Sequence, residues 1–269
     1  MNDLKFKNLT EQETKELLPD DLILLGYRGS MLHGTYIKSD DEHGIDDKDL
    51  MGVFVGQLNN YFGFQKKEVH EKFIKEYDSV CYEIKKFVSL LLKSNPNVLQ
   101  MLFLPKNYIL YVNEFGKMLI DNKELFISKQ AYHSFSGYAY GQLKRMTSFT
   151  CNGYMGQKRK QLVEKYGYDC KNASHLIRLL RMGIEFLVEG ELYPVRKDAK
   201  QLIEIKKGQW SLDQVKKEAN LLFAQCKEAY IKSNLPDKPK YNQAESLLTK
   251  IILQYHQLVQ NRKQSFQVN

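Results

Sequence analysis

The segment from Leu25 to Val55 constrains this chain more than any other part of its sequence. A short apolar run at 22–25 leads into Arg28-Gly29-Ser30. After a loop come Asp47-Lys48-Asp49 and, at once, a second apolar run at 50–55. Short apolar runs bounded by turn residues are typical of buried strands. The segment therefore predicts a strand over about 21–26, a Gly-Ser turn, a loop, and a strand over about 49–56 that begins with carboxylates.

The two carboxylates of the Asp-x-Asp motif at 47–49 indicate a divalent metal ion. Residues i and i+2 of a strand point to the same face, so Asp47 and Asp49 lie side by side. Two negative charges this close repel each other, and one pKa rises unless a cation sits between them. Mg²⁺ or Mn²⁺, which prefer oxygen ligands, are the expected cations.

The Gly-Ser turn suits a phosphate group. Gly29 allows the backbone to approach a phosphate closely, and Ser30 adds a hydroxyl donor beside the N–H groups of the turn. Arg28 either neutralises phosphate or pairs with a nearby acid. The turn and the carboxylates together indicate a site that handles a nucleotide.

These residues resemble the signature of the DNA polymerase β superfamily of nucleotidyltransferases, which is Gly-Ser followed by Asp-x-Asp between apolar strands. The chain is most similar to one branch, the RNA-repair-pathway group called RlaP, from about residue 20 to 255. The runs that carry this resemblance are RGS at 28–30, HGT at 33–35, DKDLMGVFV at 47–55, YEIKKF at 82–87, SNPNVL at 94–99, HLIRLLR at 175–181 and LP at 235–236. The loop between Ser30 and Asp47 departs from the family, because it has extra residues around 40–44. This departure leaves open which of Asp46, Asp47 and Asp49 hold metal.

The resemblance implies an α+β (α/β) fold with two parts. Residues 1–113 would form a nucleotidyltransferase domain with a mixed sheet and flanking helices. Residues 114–269 would form a helical bundle that closes one wall of the cleft. The implied reaction is metal-dependent transfer of a nucleoside monophosphate from an NTP to an RNA (tRNA) end, with release of pyrophosphate. Gly29 and Ser30 would bind the β- and γ-phosphates.

A third carboxylate should complete the metal site, and two residues compete for this role. The later part of residues 67–82 has the β-branched and aromatic composition of a strand. Asp78 and Glu83 have opposite parity on such a strand, so only one of them can face the metals. We favour Asp78, because Glu83 is placed to open a helix over 84–94. The predicted catalytic and metal-binding set is therefore Asp47, Asp49 and Asp78.

A basic stripe marks the predicted helix 171–189. Lys171, His175 and Arg178 fall on one face of an otherwise apolar helix. Buried charge needs a partner, and either the triphosphate or a structural acid such as Glu185 would serve. We favour phosphate for these three residues, although His175 could be a core histidine. His33, just beyond the Gly-Ser turn, is predicted to shape the nucleotide pocket.

A second basic region is predicted to contact nucleic acid. It combines Lys144 and Arg145, on a predicted helix over 128–149, with Lys158 and Arg159. Tyrosines alternate with these basic residues, an arrangement in which aromatic rings can stack on nucleobases while the basic side chains contact phosphates. The alternative is an amphipathic helix with core tyrosines and a solvated basic loop. Gly137 and Gly141 predict close helix packing. The other helices predicted in this half span 115–121, 156–166, 197–207, 211–232 and 241–261.

The composition fits this reading without deciding it. A net charge of +8 and a pI near 9.0 favour a polyanionic partner. Four widely spaced cysteines, no signal peptide and no membrane span predict a cytoplasmic protein with reduced thiols. The remaining alternatives are a small-molecule or protein acceptor, a nuclease that uses the same metals, and a non-catalytic nucleic-acid-binding protein. The sequence predicts no oligomeric state.

Overall fold

A computed structural model describes residues 4–64, 66–147 and 156–267 of the chain. For Thr147 and residues 262–267 it describes the backbone alone. The last two residues of the predicted helix 128–149 lie outside the described residues.

Five strands form one mixed sheet. They are β1 (Leu22–Tyr27), β2 (Lys48–Phe54), β3 (Val69–Ile74), β4 (Tyr77–Glu83) and β5 (Ile109–Val112). Their order across the sheet is β3-β4-β2-β1-β5, in which β2 and β4 run parallel and the other neighbours run antiparallel. The central strands β1 and β2 are apolar on both faces, because helices cover both sides of the sheet.

Twelve α-helices surround and extend this sheet in the described residues. They are α1 (Glu11–Leu17), α2 (Gly29–His33), α3 (Leu58–Phe62), α4 (Ile84–Leu92), α5 (Pro96–Leu99), α6 (Glu114–Asp121), α7 (Ala131–Thr147), α8 (Gln157–Tyr166), α9 (Cys170–Glu189), α10 (Ala199–Lys206), α11 (Leu212–Lys232) and α12 (Tyr241–Gln267). The C-terminal half is therefore helical. The α+β fold predicted from the sequence, a mixed sheet followed by helices, is confirmed.

One hairpin was only half predicted. The sequence indicates a strand in the later part of 67–82, which is β4, but not the preceding strand β3. β3 is an edge strand with charged and exposed side chains, so it lacks the apolar signal of a buried strand. Lys75, in the left-handed region with φ of 56°, makes the tight turn between the two strands.

The largest apolar cluster of the described residues runs from the sheet into the helices, and a second, smaller cluster packs Leu25 and Leu50 of the sheet against Leu17 of α1. The largest cluster contains Ile23 and Val53 of the sheet together with Leu176 and Leu180 of α9. α6 lies close against β1, since a Cβ at Gly116 would be 2.2 Å from the carbonyl oxygen of Ile23. The division at residue 113 therefore crosses a continuous core. No helix in the described residues is long and apolar enough to span a membrane.

Candidate active site

Two carboxylates meet where β2 and β4 begin. The strands pair in parallel with Asp49 directly opposite Asp78. Side chains opposite each other on neighbouring strands share a face of the sheet. Asp47 lies just before β2 and is exposed, and it is close enough to Asp78 for the two charges to interact. The three predicted acids therefore lie together at one end of the sheet.

Arg28 lies between the paired acids. Its Nη2 is 3.1 Å from Asp78 Oδ2 and 3.5 Å from Asp49 Oδ1. Its backbone N–H donates to the carbonyl oxygen of Asp49. Of the two roles that the sequence allows for Arg28, pairing with an acid is the one seen in this structure.

Gly29 fits the Gly-Ser turn tightly against β2. Its φ is +61°, in the left-handed region that favours glycine. A Cβ at this position would be 2.1 Å from Asp49 Oδ2. Any larger residue would therefore push the carboxylate of Asp49 out of place.

The two acids of the Asp-x-Asp pair are both hard to ionise. Burial raises the pKa of Asp49 to about 6, and the charges of Asp78 and Asp47 add to this shift, while Arg28 and Lys171 oppose it. The Asp47 side chain is exposed, but the protein around its carboxyl removes part of its hydration and raises its pKa; the charges of Asp78 and Asp46 add to this shift and Lys171 opposes it. Carboxylates in this state gain most from a nearby cation.

The donor set of the site fits a divalent metal ion. Asp47, Asp49 and Asp78 offer carboxylate oxygens, which Mg²⁺ and Mn²⁺ prefer as ligands, and Asp49 lies directly opposite Asp78 on the neighbouring strand. No group of three or more His, Cys, Asp or Glu side chains in the described part of the chain is already drawn together as for metal binding. Here Arg28 supplies the positive charge between Asp49 and Asp78.

Ser30 offers an unused hydroxyl beside these acids. It is the second residue of α2, and its Oγ is buried without a hydrogen-bond partner among the described residues. A buried hydroxyl without a partner costs free energy, which a phosphate oxygen would recover. The arrangement supports the predicted phosphate contact.

Asp46 is occupied elsewhere and does not join the cluster. Its carboxylate is buried, pairs with Lys206 of α10, and lies 3.3 Å from Lys171 of α9. It also accepts from the backbone N–H of Ile37 at 3.0 Å. Asp46 therefore ties the loop before β2 to two helices of the C-terminal half.

Glu83 caps a helix, as the sequence predicts. Its carboxylate accepts from the backbone N–H groups of Lys85 and Lys86 at the start of α4, and from the hydroxyl of Tyr61 at 2.5 Å. It lies at the end of β4 opposite to Asp78. This geometry favours Asp78 as the third carboxylate.

A comparison with protein-family models supplies the family. Residues 1–250 match the family described as RlaP, the RNA repair pathway DNA polymerase β family. The chain belongs to this family. It is a nucleotidyltransferase of the DNA polymerase β type, as the motifs predict.

Other comparisons add little to the RlaP assignment. A search of curated proteins finds no match. Among solved structures, the chain is similar to a nucleotidyltransferase-like protein from Exiguobacterium sibiricum at 10% identity and a TM-score of 0.27. That likeness covers 79% of this chain and 69% of the other.

The predicted basic stripe of this RlaP protein divides into two parts. Lys171 donates to the carbonyl oxygen of Ile45 and faces the acids. Arg178 is buried; its Nη1 lies 3.2 Å from the sulfur of Met182, and among the described residues it pairs with no carboxylate. Burial and the charge of Arg196 lower the pKa of Arg178 to about 10. Glu185, the acid that the sequence offered as a partner, pairs with Arg196 instead.

Of the two predicted histidines, His33 is buried and His175 is partly buried. His33 donates from Nδ1 to the carbonyl oxygen of Pro194 at 2.8 Å. Burial lowers the pKa of His33 well below its usual value, and Arg178 adds to the shift. The pKa of His175 is lowered for the same two reasons. Both rings are therefore neutral, and His33 joins α2 to the segment that follows α9.

Loop residues 38–44, which include the extra residues around 40–44, dock onto the helical half. His43 Nε2 lies 2.6 Å from the hydroxyl of Tyr166, and Asp41 pairs with Lys207 at 2.7 Å. Lys158, predicted to contact nucleic acid, donates to the carbonyl oxygens of Ser39 and Asp41 instead. These contacts fix the loop that leads to the predicted metal-binding acids.

The other predicted nucleic-acid contacts differ in their surroundings. Arg159 pairs with the buried Asp169 at 2.7 Å. Lys144 and Arg145 are exposed on α7, and the Lys144 ammonium lies 5.0 Å from the ring centre of Tyr140. Lys144 and Arg145 therefore keep the exposure that a nucleic-acid contact requires.

One packing prediction for α7 was wrong. A Cβ at Gly137 would meet nothing within 4 Å, and one at Gly141 would meet only Arg145 Nη2 at 3.6 Å. The two glycines therefore face open space instead of a neighbouring helix. The four-residue spacing shows that the two glycines share one face of the helix, but it does not show whether another helix packs against that face.

Lys206 is the site residue that the sequence analysis missed. It is buried and joins Asp46 with the carbonyl oxygen of Thr35. Burial lowers the pKa of Lys206 to about 8, although the charge of Asp46 opposes this shift. Its position at the end of an ordinary amphipathic helix gives no signal that its side chain reaches the loop before β2.

Proposed function

We propose that this nucleotidyltransferase transfers a nucleoside monophosphate from an NTP to an RNA end, with Mg²⁺ or Mn²⁺. The observation that carries this proposal is the alignment of Asp49 with Asp78 beside the Gly29-Ser30 turn. This arrangement brings two acids next to a turn that carries a hydroxyl without a hydrogen-bond partner among the described residues. A nucleoside triphosphate with its cation has the complementary charges.

Asp47, Asp49 and Asp78 would hold the metal. Bound divalent ions neutralise the triphosphate and lower the pKa of an acceptor hydroxyl. Asp49 is fixed by the parallel pairing of β2 with β4 and by contact with Gly29, so its carboxylate needs little rearrangement to act as a ligand. Catalysis in such a site consists largely of positioning and charge neutralisation.

The triphosphate would lie along the Gly-Ser turn. Ser30 Oγ donates to a phosphate oxygen, and the left-handed turn at Gly29 lets the chain approach closely. Lys171 is placed beside the acids, where it offsets charge on the phosphates. Arg178, which is buried without a carboxylate partner among the described residues, adds a positive potential behind them. His33 and His175 would support this wall as neutral groups.

The acceptor is proposed to be RNA on two grounds. The first is the net charge of +8, which favours a polyanionic partner. The second is an exposed surface on α7 that combines two basic side chains, Lys144 and Arg145, with the aromatic ring of Tyr140. Lys158 and Arg159 are already engaged by the protein, so their part would be to hold the loop and α8 beside the RNA.

Incorporation of label from an NTP would test this function. Each NTP, labelled at the α-phosphate, is incubated with RNA, with protein and with small-molecule extract separately, in Mg²⁺ or Mn²⁺. We expect label in RNA and release of pyrophosphate. Label in protein or in small molecules would replace the RNA acceptor, and shortened RNA would indicate a nuclease. No pyrophosphate release with any acceptor would contradict the proposal and leave a binding protein.

The substitution Asp47→Ala gives a second check on the same reaction. We expect it to abolish incorporation and to leave the circular-dichroism spectrum and thermal unfolding unchanged, because the residue is exposed. Unchanged incorporation would remove Asp47 from the proposed metal site.

A further inference from the structure

Arg28 sits where a cation between the acids is needed. Its Nη2 contacts both carboxylates, at 3.1 Å from Asp78 and 3.5 Å from Asp49. The side chain is 20% exposed, so solvent and ions reach it. Arg28 also directly precedes Gly29 in the chain, so it lies next to the Gly-Ser turn.

The contact of Arg28 with the acids is incomplete. An arginine usually pairs with a carboxylate through two parallel hydrogen bonds. Here a single nitrogen is shared between two acids, and the buried Nε has no hydrogen-bond partner among the described residues. The protein therefore loses little stabilisation when the Arg28 guanidinium moves off the two carboxylates. Neither acid gains the full stabilisation of a two-bond contact.

A guanidinium and a divalent ion compete for the same space. Both need the facing oxygens of Asp49 and Asp78, and the two positive charges repel each other. A metal ion between these oxygens therefore requires Arg28 to move away. Once released, the guanidinium is still next to Gly29 and Ser30 in the chain, where it can contact a phosphate.

On the basis of the function proposed above, we propose that Arg28 is a resident counter-ion that the metal displaces. In the free protein Arg28 neutralises Asp49 and Asp78. When the metal binds, Arg28 moves off the acids and turns to the triphosphate. Metal binding without a nucleotide is then weak, because the metal must displace Arg28 when no phosphate is present for the displaced guanidinium to contact. Arg28 is a positioning residue that couples metal binding to nucleotide binding.

Binding of Mn²⁺ to the protein without nucleotide tests this proposal. Free Mn²⁺ is measured by electron paramagnetic resonance at pH 8, for the wild type, Arg28→Met and Lys227→Met. The control Lys227→Met removes one positive charge from an exposed position of α11. We expect Arg28→Met to lower the Kd for Mn²⁺ by about tenfold or more, because it removes the competing charge. Lys227→Met should leave the Kd unchanged. An equal or higher Kd for Arg28→Met would overturn the proposal.

A measurement on the wild-type chain keeps the proposal testable if Arg28→Met does not fold. Arginines held by carboxylates react slowly with phenylglyoxal. We expect saturating Mn²⁺ to raise the modification rate of Arg28 several-fold, as read by mass spectrometry, and to leave that of Arg159 unchanged. An unchanged rate at Arg28 would overturn the proposal.

These tests separate the role of Arg28 from the proposed function. Mn²⁺ binding and Arg28 modification need no nucleotide transfer. Tighter Mn²⁺ binding without any transfer of label would contradict the function and support the role of Arg28. Transfer of label to RNA, with no change in Mn²⁺ binding or in Arg28 modification, would support the proposed function and contradict the role of Arg28.

Discussion

At the scale of single residues, Gly29 is the position where the site tolerates least change. Gly29→Ala should destabilise the protein by about 1–3 kcal/mol, because alanine is strained at φ +61° and its Cβ meets Asp49. Gly167 is a matched control, since its φ is +74° but a Cβ there meets nothing within 4 Å.

The two glycine variants are compared by urea denaturation and by incorporation of label. We expect Gly29→Ala to lose more stability than Gly167→Ala and to lose activity, which Gly167→Ala keeps. Equal effects of the two variants would mean that the contact with Asp49 is unimportant.

Asp49 should make stability depend on pH in an unusual direction. The folded protein keeps the proton of Asp49 up to about pH 6, whereas the unfolded chain loses it near its ordinary value of 3.8. Between these values the folded state binds more protons, so the contribution of Asp49 to stability falls as the pH rises. Asp49→Asn removes this titration.

The prediction for Asp49→Asn concerns metal-free protein in EDTA. We expect its stability relative to wild type to increase by about 1–2 kcal/mol between pH 4 and pH 7, less than the full shift implies, because the side chain keeps some contact with water. Urea denaturation at the two pH values measures this difference. A difference that is the same at both pH values would show that Asp49 has an ordinary pKa.

The sequence allowed the motif residues to be predicted, but not the groups that their side chains contact in the folded protein. The choice of Asp78 over Glu83 rested on strand parity and on the helix that begins after Glu83, whereas the register that puts Asp78 opposite Asp49 was not predicted. Arg28 was left between two roles, because a sequence shows a charge but not the atom that meets it. Lys206 and Arg178 were harder, since a buried cation on a helix gives the same pattern whether its partner is an acid, a carbonyl group or a ligand.

At the scale of elements, the ion pair between Asp46 and Lys206 of α10 holds the loop before β2 against the helical half. Asp46→Ala should destabilise the protein by about 3–5 kcal/mol, because Lys206 would be left buried and unpaired. Glu228→Ala is a matched control, because Glu228 pairs with Lys232 in solvent. We expect no measurable change in the stability of Glu228→Ala.

The double variant Asp46→Ala with Lys206→Met decides whether the charge is the cause. Removing both charges should recover part of the stability lost in Asp46→Ala, as measured by urea denaturation. If the double variant is no more stable than Asp46→Ala, the loss comes from packing and not from unpaired charge.

The buried strands and helices could be predicted from the sequence, and the exposed edge strand β3 could not. β1, β2 and the helices of the C-terminal half are apolar at regular spacing, so their positions were within reach of the sequence. β3 was missed because an edge strand with charged side chains has no such pattern. The docking of residues 38–44 onto α8 and α10 was also hidden, because it depends on contacts more than a hundred residues apart in the chain.

At the scale of the whole molecule, the sheet and the helices share one core. Ile23 and Val53 belong to the same apolar cluster as Leu176 and Leu180. We therefore expect one cooperative unfolding transition, with circular dichroism and tryptophan fluorescence giving the same midpoint. Trp210 lies in the helical half and reports on it separately. Two separate midpoints would support the division at residue 113 as a division into independent domains.

The central claim is that the acids at the start of β2 and β4 carry nucleotidyl transfer. Its most direct test is the rate of label incorporation from an NTP into RNA by Asp49→Asn and by Asp78→Asn, compared with Asp213→Asn, a change at an exposed position of α11. We expect both site variants to lose about a hundredfold or more in rate while remaining folded, and Asp213→Asn to match the wild type. Wild-type rates in Asp49→Asn and Asp78→Asn would contradict the account.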